Sequence, residues 1–247
     1  MPAAECKLAA LFQFTPACDY IRLNKNDLKD LSQYAIELTN LNHVSPTHKW
    51  VTEAGQWEHA VQSYLASVTF ADHCLGMVLD ALEKSKYADN TVIALFSDHG
   101  FHLGEKERWA KRSLWEDGTR VPIILSAPEF KSNQISDRPA ELLDIFPTLL
   151  ELAGLPADSA QEGQSLVPLM KNPKEAWAHP ALTSFGLGNY SVRSTRYRFI
   201  QYFDGSRELY DLSKDPHEWK NLAADPKNKP IIEEHASHLP KKQHPIL

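Results

Sequence analysis

Apolar positions along the chain change period several times, and each change marks an element. Between Trp57 and Lys86 they recur at three- and four-residue steps (Val61, Tyr64, Leu65, Val68, Ala71, Leu75, Val78, Leu79, Leu82). That spacing predicts one long helix with a single apolar stripe. From Thr91 to Phe96 the run is almost wholly apolar, which predicts a strand covered on both faces. It ends in Ser97-Asp98-His99-Gly100, and in open α/β sheets chemistry gathers just beyond the carboxyl ends of strands. Helix and strand together read as half of a βαβ unit. A second strand is expected over 121–126, with Pro122 near its start suggesting an edge or first-residue position. Pro139 to Ala153 reads as a helix that Pro147 kinks or splits and Gly154 caps.

The flanks are less regular. Residues 1–55 give weak signals, with a short helix over 27–38 and loop elsewhere. Beyond about residue 175 the texture changes, which divides the chain into 1–175 and 176–247. Tyr190 to Phe203 and Ser206 to Leu212 read as two strands joined by an Asp204-Gly205 hairpin turn. A short helix is expected over 218–222. The final twenty or so residues are polar, rich in Lys and His, and expected to fray.

Composition narrows the function classes. With 43% hydrophobic and 23% charged residues, the 247-residue chain is globular in character. A net charge of −6 argues against a nucleic-acid binder that neutralises phosphates. Cys6, Cys18 and Cys74 form neither a disulfide framework nor a metal spacing, and Cys74 falls in the helical pattern as a packed thiol. No uninterrupted run of about 18 apolar residues is present, so no membrane span is expected. The first residues lack the basic-then-apolar order of a signal peptide.

The candidate chemistry follows the strand at 91–96. Asp98 is an acceptor-only carboxylate suited to a hard divalent cation, and His99 could add a nitrogen ligand, more typical of transition metals. Two adjacent ligands cannot close a site of about six donors, and the plain alternative is that Asp98 caps a turn against which His99 packs. Lys111 lies in a loop with Lys106, Arg108 and Arg112. A lysine beside a bound cation makes sense if both neutralise one anionic group; a solvated basic loop is the favoured reading for the other three. His102 is a candidate proton donor to a leaving group, or a surface residue. No Gly-x-Ser-x-Gly elbow is present, and the Cys18-x-x-x-Arg22 spacing is treated as chance.

These pieces resemble the sulfatase family of the alkaline phosphatase superfamily, in its iduronate-2-sulfatase-like branch. The matching residues are Ser97-Asp98-His99-Gly100-Phe-His-Leu-Gly104-Glu105, Trp109-Ala-Lys111 and Thr119-Arg120-Val121-Pro122. Upstream, Tyr64 to Asp72 and Gly76 to Leu82 are similar to the helix before the metal strand. Downstream, Glu208-Leu-Tyr-Asp-Leu-Ser-Lys-Asp215-Pro216 with Glu218 and Asn221-Leu222-Ala223 resembles the family's C-terminal subdomain. The resemblance implies an α/β fold: part of a mixed or parallel alkaline-phosphatase-like sheet with flanking helices over 1–175, then a small antiparallel α+β subdomain over 176–247.

It also implies one calcium ion, with Asp98 and His99 as half of its ligands and two aspartates of another strand as the rest. Lys111 would contact the sulfate of a sulfated carbohydrate. The family's nucleophile is a formylglycine hydrate made from Cys or Ser in Cys-x-Pro-x-Arg. Neither the aspartate pair nor that motif is matched, since Tyr20 stands where the proline belongs. The chain therefore reads as the C-terminal portion of a sulfatase, inactive alone. With an unpaired sheet edge it would self-associate or pair with a missing N-terminal half. Two alternatives are a phosphodiesterase or phosphonate hydrolase of the same superfamily, disfavoured by Trp109-Ala-Lys111, and a non-catalytic glycan-binding remnant or accessory subunit. No nucleic-acid or membrane partner is expected. Relatives are usually exported, yet no export signal is visible, so the compartment stays open.

Overall fold

The structure, a computed structural model, describes residues 21, 23–40, 46–131 and 133–241. Three helices come first: α1 (Gln33–Thr39), α2 (His48–Glu53) and α3 (Trp57–Glu83). Ser32 and Thr47 start the two short ones, each accepting a backbone N–H of the first turn through its hydroxyl. Then follow β1 (Ile93–Phe96), β2 (His102–Leu103), β3 (Trp109–Ala110), α4 (Glu116–Thr119), β4 (Ile123–Ser126), α5 (Ile145–Leu152) and α6 (Val167–Lys171). The last part holds β5 (Ala181–Ser184), β6 (Tyr190–Arg193), β7 (Tyr197–Gln201), β8 (Arg207–Asp211) and α7 (Lys229–Ala236).

Strand β1 pairs antiparallel with β4, Ile93 opposite Ser126 and Phe96 opposite Ile123. This differs from the expected doubly covered strand of a βαβ unit: β1 is half-buried and Phe96 is exposed. Among the described residues β4 is its sole hydrogen-bonded neighbour, so its other edge stays open. Helix α3 runs as the periodicity predicts, but of its apolar stripe only Val61 is buried. By length and composition α3 could also cross a membrane, with a mean hydropathy of 1.3. The core helix of a soluble domain can have the same length and composition, so the expectation of no membrane span stands unaltered.

Pro147 neither kinks nor splits α5. It sits in the first turn, where its missing N–H costs nothing, and the split falls earlier, where a 3₁₀ turn over Leu142–Asp144 leads in. Gly154 ends α5 in the left-handed region at φ 67°. The C-terminal sheet is a four-stranded antiparallel meander in the order β5-β6-β7-β8. The Asp204-Gly205 turn joins β7 to β8, with the Tyr202 N–H donating to the Ser206 carbonyl. The segment expected as one strand from Tyr190 breaks into β6 and β7, because Ser194 turns the chain by exchanging backbone and hydroxyl hydrogen bonds with Tyr197.

Two further expectations fail here. Residues 218–222 are irregular rather than helical, with Glu218 at φ 56°. The polar tail instead forms α7, whose Ile232 packs with Val192, Phe199 and Leu209 in one core cluster. A second cluster joins Ala35 of α1, Leu114, Trp115, Ile200, Tyr202 and Tyr210, and so fixes the loop before α4 onto the sheet.

Candidate functional site

The turn after β1 carries Asp98 and His99, and the loop after β3 carries Lys111; all three line one broad groove. Lys111 Nζ lies 2.7 Å from His99 Nε2, and His99 Nδ1 lies 2.8 Å from the Gly100 carbonyl oxygen. An ammonium can only donate and a carbonyl can only accept. The ring is therefore the neutral tautomer protonated at Nδ1, with the Nε2 lone pair turned to Lys111. The Asp98 carboxylate stands 3.6 Å from His99 Nε2 and is 81% exposed at the groove wall. Arg112, Arg120 and Lys131 line the same groove, together with Arg138 and Arg193, which are paired with Asp137 and Glu116.

Backbone geometry presents the lysine. Ala110 and Arg112 flank it at φ 77° and 69°, conformations that side-chain-bearing residues adopt at a cost. The buried Arg108 guanidinium holds this loop by donating Nη2 to the Lys111 carbonyl at 2.9 Å. Arg108 and Lys106 are thus not the solvated basic residues expected. Lys106 is buried in an ion pair with Asp27, 2.8 Å from Nζ, and also donates to the Glu218 carbonyl. No local signal could reveal a partner 79 positions away. Arg112 is exposed as expected.

His102 is not brought to the groove. Its ring is fully buried and its Nε2 lies 2.7 Å from Ser113 Oγ. Burial, and then the Arg108 guanidinium, push its pKa down to about 3. The ring thus packs behind the loop that presents Lys111, held by Ser113, and the donor role expected of His102 remains a proposal. Beside it lie Glu105, whose carboxylate accepts the Leu103 N–H at 2.7 Å, and Asp117, whose pKa is raised to about 7 by burial and the Glu105 charge.

Behind the groove, α4 is tied to the C-terminal sheet by charge. Arg198 is buried between Glu116 and Glu218, its Nε 2.7 Å from Glu218 Oε1. Glu218 also accepts the Glu116 N–H at 2.8 Å. Burial pushes the Glu218 carboxyl up to about 7 despite that guanidinium. Glu208 accepts from Trp115, Tyr202 and Tyr210.

A divalent cation is what the family resemblance would place at the groove. Asp98 fits as an exposed anionic ligand, and His99 could offer Nε2 once Lys111 turns away. Two donors fall short of the six to eight oxygens calcium takes, so the described residues supply part of a shell. Cys18 and Arg22, whose spacing was read as chance, lie outside the described residues, as does Cys6.

The profile of the family described as "Sulfatase" matches residues 14–155, and one described as "N-sulphoglucosamine sulphohydrolase, C-terminal" matches residues 104–245. A "Sulfatase" of Formosa agariphila is 43% identical over 216 residues, 87% of this chain and 42% of its own length. A "Delta 4,5-hexuronate-2-O-sulfatase" of Bacteroides thetaiotaomicron is 29% identical over 85% of this chain and 47% of its own length. The chain thus spans less than half of these relatives. A solved 2-O GAG sulfatase superposes with a TM-score of 0.73 at 26% identity, over 87% of this chain and 50% of that one. A phosphonate monoester hydrolase of Agrobacterium radiobacter superposes with 0.60 at 26% identity, over 67% of this chain and 37% of that one.

Proposed function

The chain belongs to the sulfatase family, and on that premise we propose that it carries the sulfate-holding and part of the metal-holding side of a sulfuric ester hydrolase site for a sulfated carbohydrate. The observation that carries this reading is the approach of Lys111 Nζ to His99 Nε2 at 2.7 Å, with Asp98 on the same groove. Lys111 holds sulfate oxygens as a point charge. His99, protonated at Nδ1, keeps that ammonium turned into the groove until the anion takes it over. Asp98, with His99, holds calcium, which when bound would neutralise charge building on the sulfate oxygens. Arg112 and Arg120 take further anionic groups of the sugar chain. Support for the sugar class comes from the hexuronate sulfatase relative. The phosphonate hydrolase reading is weaker, since that likeness has the lower TM-score.

The sequence given contains no Cys-x-Pro-x-Arg, and we read this chain by itself as lacking turnover. Two measurements test the proposal. Calorimetry with a sulfated uronic-acid disaccharide in calcium should show binding that Lys111→Ala weakens by at least ~10-fold, the loss of a charge-assisted contact. Unchanged affinity in that variant would remove the role given to Lys111. Hydrolysis of an arylsulfate by the chain, abolished in Asp98→Ala, would overturn the reading of inactivity.

A further inference from the structure

We propose that His102, Glu105 and Asp117 form a site for a divalent transition-metal cation of the zinc class, separate from the groove carrying Asp98. One ligand atom from each of the three lies within 4.8 Å of the other two. Ligands bound to one zinc at ~2.0–2.2 Å stand at most ~4.4 Å apart, so a modest rotation of the Asp117 side chain closes the set. One imidazole nitrogen with two carboxylate oxygens is the donor mixture that zinc and its neighbours accept.

Two features point to a ligand rather than to chance proximity. His102 is fully buried, and its Nδ1 makes no hydrogen bond of good geometry although the Glu105 backbone lies close enough to act on the ring; buried polar atoms are rarely left so poorly partnered. Its other nitrogen is fixed by Ser113 Oγ at 2.7 Å, which sets the ring as an outer-shell partner sets a metal-bound histidine. Among the described residues, no ion pair holds Glu105 or Asp117.

The site has a place in the architecture. His102 lies on β2, Glu105 in the turn between β2 and β3, and Asp117 on α4. A bound ion would clip the hairpin to α4 across the loop that presents Lys111. Nothing in this depends on the sulfate reading.

The experiment is a titration of the chelator-stripped chain with Co²⁺, read by its visible absorption, and with Zn²⁺, read by calorimetry. The wild type and Asp98→Ala should each bind one equivalent at this site with the same spectrum. Asp117→Asn and Glu105→Gln should weaken it by at least ~10-fold, since even outer-shell losses cost that much. A circular dichroism melt verifies that the Asp117→Asn variant keeps the fold. Binding that survives both carboxylate changes, binding lost only in Asp98→Ala, or no binding at all overturns the proposal.

Discussion

Lys106 shows how far a side chain can depart from what its neighbours in sequence suggest. Among Glu105, Glu107 and Arg108 it reads as solvated, yet it is 3% exposed and paired with Asp27. Its ammonium also lies over the rings of Tyr210 at 5.1 Å and Trp115 at 5.8 Å. Lys106→Met would strand the Asp27 carboxylate in the interior and should cost about 3–5 kcal/mol. The double change Lys106→Met with Asp27→Leu should recover most of that loss. Urea melts of the parent, two singles and the double measure the coupling; additive losses would mean the pair does not act as a unit. Asp98, His99 and Lys111 were legible because each sits in a short ordered motif beside a strand. Lys106 and Glu218 were not, because their environments are made by residues up to 112 positions away.

At the scale of elements, periodicity located α3, β1, β4 and α5, and the Asp-Gly pair located the β7–β8 turn. It missed α7 because only Ile232 and His235 of that helix are buried, too few to mark a stripe in a polar sequence. It misjudged β1 because the partner of a strand is not written in the strand. The turn after β1 is where element packing meets chemistry. A Cβ on Gly100 would stand 2.1 Å from the Asp117 carbonyl oxygen and 2.9 Å from that of Arg120. Both are backbone atoms and cannot rotate aside. Gly100→Ala should therefore cost about 1–3 kcal/mol and shift Asp98 and His99 away from Lys111. A thermal melt reads the first effect, and loss of calcium-dependent sugar binding the second. An alanine variant with wild-type stability would show that the loop yields freely.

The whole molecule shows what is exposed and what is locked. Phe70, Met77, Val78, Phe96, Leu143 and Phe146 are all exposed, more large apolar surface than a solitary domain usually shows. Self-association, or pairing with a complementary chain, is the expected behaviour, and a monodisperse monomer in light scattering would contradict it. Stability should respond to pH through the buried charges. The Glu218 carboxyl is raised from 4.5 to about 7, so between those values the folded chain keeps a proton that the unfolded chain has lost. Its contribution therefore falls as pH rises through that window. His102, pushed down to about 3 from 6.5, works in the opposite direction below 6.5. Comparing the parent with Glu218→Gln isolates the glutamate: the parent should lose ground to the variant between pH 4.5 and about 7. Parallel denaturation profiles would remove the role assigned to Glu218.

The short stretch before α1 holds both ends of this arrangement. Asp27 grips Lys106, while Asp30 accepts the backbone N–H of Asn221, 191 positions later. A ribosome therefore releases these aspartates long before it delivers the partner of the second. Contacts of that sequence separation form late, so this tie should close only once the segment after β8 has been made.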